Sequence, residues 1–487
     1  MVSYNRSMSR RLALLLAGVI IISALSAILW LGMPRLEEVS PPDQAIDVPA
    51  GSSLRLSFSR RMQAESVIER LSMDPPRAGS FTWQDNDLIF TPDQPWETGQ
   101  AVQVRLAGGS RAAGLLALPI RQESSWTFTI RRTRLAFLFP SDGAANIYLI
   151  DPDSGEGTPP LLLLTDSPSG VLDYDVDARG EAIYYSARVG QGGSAIYRQE
   201  MSVPESAPIS ILDCPRALCT AVRISPSNDF LAYERTAFPG TEGPDYPRVW
   251  LLPLTVQNPP TDEPGTAAVV TVEAPFPVDD NQHQSLQPHW SPQGILTYYD
   301  SSQKAFIALD LHSEQRSEFP NQTGLPGSWS PDGQAYVVAE ILENVLINPT
   351  PDTANFPAVS SHLIRFNLLD DSTQDLTGAE NLEDASPAHS PDGSKLAFAR
   401  KYLTVSQWTP GRQLWLMRAD GQDAHPLSNE PYFNHFNFAW DPAGTRIAYV
   451  RFNQTVPTDP PEIWLLDLAS GETLQLVVGG YAPQWIP

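Results

Sequence analysis

A short unit recurs through the last two thirds of the chain and limits its fold more than any other feature: a large apolar residue, then Ser or Asp, then Pro-x-Gly. It is complete at Trp290-Ser291-Pro292-Gln293-Gly294, Trp329-Ser330-Pro331-Asp332-Gly333 and Trp440-Asp441-Pro442-Ala443-Gly444, and His replaces Trp at His389-Ser390-Pro391-Asp392-Gly393. Looser copies are Ile224-Ser225-Pro226-Ser227-Asn228 and Val176-Asp177-Ala178-Arg179-Gly180. Pro fixes φ at the first corner of a turn and Gly tolerates positive φ at its exit, so each copy predicts a tight turn. Strand-like runs follow: FLAYER from Phe230, ILTYYD from Ile295, QAYVVAE from Gln334, KLAFAR from Lys395 and RIAYVR from Arg446. Second runs come later, as in VWLLPL from Val249, LWLMRA from Leu414 and IWLLDL from Ile463. Repeats of about 40–65 residues holding several strands predict a β-propeller. The marker is a folding device, its Trp a plate to pack between sheets, and a poor active-site signal.

The ends of this region predict closure. Ala482-Pro483-Gln484-Trp485-Ile486-Pro487 reads as an innermost strand with the first half of a marker. Leu135-Ala136-Phe137-Leu138-Phe139 and Ile147-Tyr148-Leu149-Ile150 supply second and third strands without a first. One blade is therefore shared between the two ends, which leaves no open edge. The count is seven blades, with six or eight as alternatives because the early markers are weak. From about Leu135 onward the chain resembles the TolB-like propeller family, on its four good and two degraded markers. That resemblance implies four-stranded blades, the segment before each marker being innermost. His389, Val176 and Ile224 depart from the family's Trp.

Between residues 36 and 131 the pattern is again short strands, among them Leu54-Arg55-Leu56-Ser57-Phe58, Val102-Gln103-Val104-Arg105-Leu106 and Trp126-Thr127-Phe128-Thr129-Ile130. Turn signals at Pro75-Pro76, Asp85-Asn86-Asp87 and Gly108-Gly109 separate them, and the spacing predicts a β-sandwich. Pro42-Asp43-Gln44-Ala45-Ile46-Asp47-Val48-Pro49, Phe58-Ser59-Arg60-Arg61-Met62, Phe81-Thr82-Trp83 and Phe90-Thr91-Pro92 resemble the SbsA-type bacterial Ig-like family. The resemblance implies a spacer or adhesive module without catalysis.

Residues 1–11 carry Arg6, Arg10 and Arg11, and residues 12–32 form an uncharged run. Twenty-one residues at ~1.5 Å each span ~31 Å, enough for the hydrocarbon core of a bilayer. Positive flanks stay cytoplasmic, so the expectation is a single-pass signal anchor in the cell membrane with everything after it extracytoplasmic. A cleaved signal peptide ending near Ala27 is the competing reading. The whole chain is expected to be all-β after the anchor: an Ig-like sandwich over 36–131 and a closed propeller over 134–487.

The net charge of −24 argues against nucleic acid, whose phosphates need clustered Lys and Arg. Pro makes up 46 of 487 residues, about twice its usual share, which suits many short strands joined by stiff loops. The two cysteines, Cys214 and Cys219, suggest a short-loop disulfide in an oxidising compartment, with two separately buried thiols as the alternative.

Function is expected on loops, where a rigid scaffold carries variable contacts. Segments 236–248, 341–361, 402–412 and 453–461 are long and would share one face with the connections between blades. They and those connections carry Phe238, Tyr246, Phe356, Tyr402, Trp408, Tyr432, Phe433, His435 and Phe436. Trp408, Tyr432, Phe433, Tyr402 and Tyr246 are the candidate binding residues; packing back onto the blades is the alternative. Residues 249–303 lack Lys and Arg while Asp262, Glu263, Glu273, Asp279, Asp280 and Asp300 accumulate, a pattern that favours a solvated loop over a cation site. Asp151-Pro152-Asp153-Ser154-Gly155-Glu156 lacks the spacing of a calcium loop, and His283 with His289 makes a weak metal pair. No G-x-S-x-G, H-E-x-x-H, phosphate loop or dinucleotide fingerprint is present in the sequence, so no catalytic residue, metal or cofactor is assigned. The expected role is recognition of an envelope or extracellular protein, peptide or glycan. The alternatives are a glycoside- or lactone-acting hydrolase using channel carboxylates such as Asp173, Asp175 or Asp177, and a structural envelope component.

Overall fold

The computed structural model describes residues 33–486 apart from 94–95, 115–116, 156–158, 191, 202–206, 242, 258–268, 280–282, 343–359 and 379–380. The expected membrane segment 12–32 lies outside the described residues, as do Phe356, Asp262, Glu263 and Asp280. Among the described residues no helix is long and apolar enough to cross a membrane. The chain divides into two compact units at Arg132/Thr133.

The first unit holds two four-stranded sheets. One runs in the order Leu36–Ser40, Leu54–Phe58, Asp87–Pro92, Gly79–Gln84, and the other Ala45–Val48, Ser124–Ile130, Ala101–Leu106, Leu71–Asp74. Alternation puts Leu54, Leu56 and Phe58 from one sheet and Val102, Val104, Leu106, Trp126, Phe128 and Ile130 from the other into a single core. Period-2 patterning gives each strand one buried face, and two such faces close a sandwich. Trp96 bridges them, its ring 6.3 Å from Phe90 and 5.9 Å from Phe128, with Nε1 donating to Ser52 O.

The second unit is a succession of seven antiparallel sheets. Sheet 1 takes Tyr481–Ile486, Arg134–Phe139, Asn146–Ile150 and Leu161–Leu163, from inner to outer strand. Sheet 2 follows as Val171–Val176, Ala182–Val189, Gly193–Glu200 and Ile209–Pro215. Sheet 3 is Ala217–Ile224, Phe230–Ala237, Arg248–Gln257 and Val269–Val272, with Phe276–Pro277 also on the third strand. Sheet 4 is Ser285–Trp290, Ile295–Asp300, Ala305–Asp310 and Arg316–Pro320; sheet 5 is Ser328–Trp329, Ala335–Leu342, Ser360–Asn367 and Thr373–Asp375. Sheet 6 is Leu382–His389, Lys395–Tyr402, Gln413–Arg418 and His425–Pro426, and sheet 7 is Phe433–Trp440, Arg446–Asn453, Glu462–Asp467 and Thr473–Val478. A single parallel bridge, Ser361 with Glu383, links sheets 5 and 6.

The second strands read as near-continuous apolar runs because both faces are buried. Ala397 and Ala399 pack toward sheet 7 while Leu396 and Phe398 pack toward sheet 5. Every core cluster of this unit straddles two consecutive sheets, in the order 1–2, 2–3, 3–4, 4–5, 5–6 and 6–7. The last cluster joins Ala448, Val450 and Ile463 of sheet 7 to Leu135, Phe137 and Trp485 of sheet 1. Trp485 pairs with Leu135 in the ladder, so residues from both ends of the unit complete one sheet, as the sequence predicts.

All six markers form the same turn. The Ser or Asp is buried in each and accepts backbone N–H groups from the residues that begin the next strand. Ser291 Oγ accepts Ile295 N, Ser330 Oγ accepts Ala335 N, and Asp441 Oδ1 accepts Thr445 N and Arg446 N. The degraded copies do likewise, Asp177 Oδ1 with Glu181 N and Ser225 Oγ with Phe230 N. Gly333 has φ +64°, and a Cβ there would meet Gln293 Oε1 at 1.5 Å.

The marker Trp also ties sheets together. Trp290 Nε1 donates to Arg223 O, Trp440 Nε1 to Ala388 O and Trp485 Nε1 to Ala439 O, each at 2.9 Å. In these three the acceptor lies on the inner strand of the preceding sheet, whereas Trp329 Nε1 donates to Thr297 Oγ1 on the second strand of sheet 4. His389 replaces this link with its own, Nδ1 lying 3.0 Å from Ser328 Oγ of sheet 5. Cys214 and Cys219 form a disulfide across the turn from sheet 2 to sheet 3, with Cα atoms 6.3 Å apart.

Candidate functional site

Antiparallel order fixes which segments share a face. Marker turns and third-to-fourth turns lie at one end of the sheets, while second-to-third loops and inter-sheet connections lie at the other. Tyr402 ends the second strand of sheet 6, and Trp408 sits in the loop that follows it. Tyr432 lies in the connection to sheet 7, and Phe433 opens that sheet's inner strand. Gly411 N donates to Pro431 O, Arg412 N to Asn434 Oδ1, and Gln454 N to Tyr432 O. These bonds bind three segments of sheets 6 and 7 into one surface. Tyr246 belongs to the corresponding loop of sheet 3 and is not part of it.

The exposed apolar residues on this surface are Val405 (81%), Tyr432 (58%), Trp408 (53%) and Val456 (40%). Lys401 Nζ stands 5.0 Å from the Trp408 ring centroid, and Trp408 makes an isolated bridge to Tyr402. The loop aromatics thus divide. Trp408 and Tyr432 face solvent, whereas Tyr402 is half-buried with its ring 6.0 Å from Trp415. Phe433 is half-buried beneath Arg451, whose guanidinium carbon lies 4.3 Å from its centroid.

Beneath the surface is a charged network. Arg451 pairs with Glu430 and with Glu462, and Glu430 also receives His435 Nε2 at 3.2 Å. His435 and then Arg451 hold the Glu430 carboxyl at about 2. Arg412 pairs with Glu383, and Arg400 makes a two-point contact with buried Asp384 at 2.8 Å on both arms. Such two-point guanidinium pairs fix geometry as well as charge, so the loops rest on a stiff base. Sequence patterning picks out the aromatics but not this base, because its charges sit on strands whose neighbours are set by sheet packing.

At the marker end, the inner strands of sheets 1–4 enclose a cleft of about 450 Å³ lined by Gln484, Asp175, Arg223, His289 and Trp290, among others. Arg223 Nη1 contacts Asp173 Oδ2 at 2.9 Å, and Asp175 Oδ2 accepts Ile224 N. Burial raises the Asp175 carboxyl to about 6 and lowers His289 to about 4. Asp177 stays in its marker turn, away from this group. His283 pairs with Asp300, separately from His289. Among the described residues no group of three potential ligands could hold a metal ion. Asp151 caps a third-to-fourth turn through Asp153 N, and Asp153 reaches Arg446 of sheet 7 at 2.8 Å.

Five inner strands share a feature that sequence reasoning missed. Ala221, Gln287, Ser386, Asn437 and Ala482 have φ between +50° and +55°, each at a register shift against the second strand. A bulge with one left-handed residue bends the strand locally. None of the five is Gly, so composition carried no signal.

Residues 32–130 match the bacterial Ig-like domain family. No curated protein matches the chain. Similar solved structures include TolB from Acinetobacter baumannii, 13% identical over 86% of this chain and 83% of its own, with a TM-score of 0.41. A putative TolB from Agrobacterium tumefaciens is 16% identical over 72% and 91%, with a TM-score of 0.37. Oligogalacturonate lyase from Vibrio parahaemolyticus is 14% identical over 64% and 74%, with a TM-score of 0.38. The first unit is therefore a bacterial Ig-like domain, and the structural neighbours of the chain are TolB-like and other propeller proteins.

Proposed function

We propose that the chain is a membrane-anchored, extracytoplasmic recognition protein. In this reading residues 12–32 hold it in the cell membrane and the Ig-like unit serves as spacer. The seven sheets are the blades of one closed propeller, and the loop surface of sheets 6 and 7 captures an envelope or extracellular protein, peptide or glycan. The observation that carries the reading is the exposure of Val405, Trp408, Tyr432 and Val456 on hydrogen-bonded loops over a fixed ionic base. Large side chains held out on a stiff support lose little entropy on binding and dominate interfaces.

The test is capture from intact envelopes by photocrosslinking at Gln407, compared between wild type and W408A/Y432A. A lost hot spot costs ~2 kcal/mol, a drop of about thirty-fold in affinity. Loss of capture with an unchanged melting temperature supports the reading. Undiminished capture, or unfolding of the variant, removes the surface from consideration. The anchor is tested separately by protease treatment of intact cells, which should digest everything after about Leu36; a soluble form starting near Ile28 would show cleavage instead.

A further inference from the structure

Basic residues are unevenly divided between the two units. Residues 33–132 carry eleven Arg, no Lys and twelve acidic residues, whereas residues 133–487 carry eighteen Lys and Arg against forty-four acidic residues. The near-neutral stretch is the one that directly follows the apolar run. A strongly acidic chain is repelled by anionic lipid, so its membrane-proximal part is where local positive charge has an effect.

Within that unit, Met33, Pro34, Arg35 and Leu36 meet Ile120, Arg121, Gln122 and Ser124 around a pocket of about 410 Å³. Pro34 and Ile120 are buried and Met33 and Leu36 half-buried, which makes an apolar floor. Arg35 and Arg121 are exposed at its rim. Of the neighbouring acids, Glu123 is engaged by Arg105 at 2.5 and 2.7 Å, while Glu37 and Glu38, which follow Leu36 along its strand, are exposed. Two guanidinium groups beside an amide, a hydroxyl and an apolar floor match a phosphate joined to an alkyl chain, since guanidinium forks complement phosphate oxygens.

We propose that this pocket binds the phosphate headgroup of an anionic phospholipid, with Arg35 and Arg121 as the phosphate contacts. The proposal rests on the membrane-anchored reading, which places Met33 at the first residue clear of the bilayer. The bound lipid holds the Ig-like unit against the membrane surface.

The full chain is reconstituted into vesicles of phosphatidylcholine alone or of phosphatidylcholine with phosphatidylglycerol, and flotation checks insertion. Phenylglyoxal labelling, read by peptide mass spectrometry, then gives the reactivity of each arginine. A guanidinium engaged by a phosphate is shielded from the reagent, so Arg35 and Arg121 should label at least about five-fold more slowly with phosphatidylglycerol. Arg418, exposed on the second unit, should be unchanged. Equal labelling in both vesicles overturns the proposal. So does equal slowing at exposed Arg60 and Arg61, which signals diffuse attraction, or equal protection by inorganic phosphate in detergent, which assigns the pocket to free anion. Failure of the protein to float refutes the anchor itself, a separate outcome that removes the premise.

Discussion

Replacing Trp485 with Ala tests whether sheet 1 fastens the second unit. Trp485 is buried in the cluster shared by sheets 7 and 1, donates Nε1 to Ala439 O, and lies under Arg446 at 5.4 Å. Removing a buried Trp side chain costs roughly 3–5 kcal/mol, which includes the cavity and the lost hydrogen bond. A unit of about 350 residues unfolds with an entropy near 0.7 kcal/mol/K, so the midpoint should fall by roughly 4–7 °C. Differential scanning calorimetry of residues 33–487 reads this directly. The whole transition of the second unit should move as one, because the residue joins the first and last of seven sheets. Trp408→Ala, at an exposed site, is the control and should shift the midpoint by less than about 1 °C. If W485A moves the transition no further than W408A, the terminal strand does not fasten the unit and the reasoning fails.

Deleting 481–487 should be more severe, broadening or abolishing the transition; an unchanged melt would show that Tyr481–Ile486 is dispensable. Burial holds His289 and His389 at about 4, so between pH 6.5 and 4 the unfolded chain takes up protons that the folded chain refuses, and stability falls as pH falls. Asp175, raised to about 6, acts oppositely below that pH, since its folded form holds a proton that the unfolded form releases. His389→Trp should therefore make the acid limb of a urea-stability profile shallower, by up to ~1.4 kcal/mol per pH unit, and an unchanged limb would place the titration elsewhere. Cys214→Ser with Cys219→Ser removes a loop of about six residues from the unfolded-state constraint, worth ~2 kcal/mol; denaturant midpoints with and without reductant should show the same loss in wild type. Gly333→Ala combines positive φ with an approach to Gln293 and should destabilise by about 1–2 kcal/mol, more than Gly471→Ala at an open turn.

Much of the second unit was legible because its turns are written in residue types with few other uses. Ser-Pro-x-Gly announces a corner, and the buried hydroxyl of Ser291 or Ser390 explains why Ser or Asp must come first. Even the degraded copy at Val176 kept its Asp and Gly and proved to be the same turn. The left-handed residues of the inner strands were invisible, because Ala221 and Ala482 are held there by neighbouring strands. The loop aromatics were half legible: composition singled out Trp408 and Tyr432, but could not tell them from Phe433, whose ring is covered by an Arg eighteen residues later. Asp173 and Asp175 were named without a partner, since Arg223 comes from the next sheet and only packing brings them together.

The sheet shared by both ends of the second unit also sets an order in time. A chain synthesised from its N terminus presents Arg134–Phe139 early, but the strand that covers this edge, Tyr481–Ile486, arrives roughly 340 residues later. At synthesis rates of about 5–20 residues per second, that edge stays unpaired for roughly 17–70 s. Leu135, Phe137 and Leu138 are thus open to pairing with foreign strands throughout that interval. Until residue 486 emerges, sheets 2–7 can form but sheet 1 lacks its inner strand, so every incomplete product carries the same exposed apolar strand for chaperones or proteases to find.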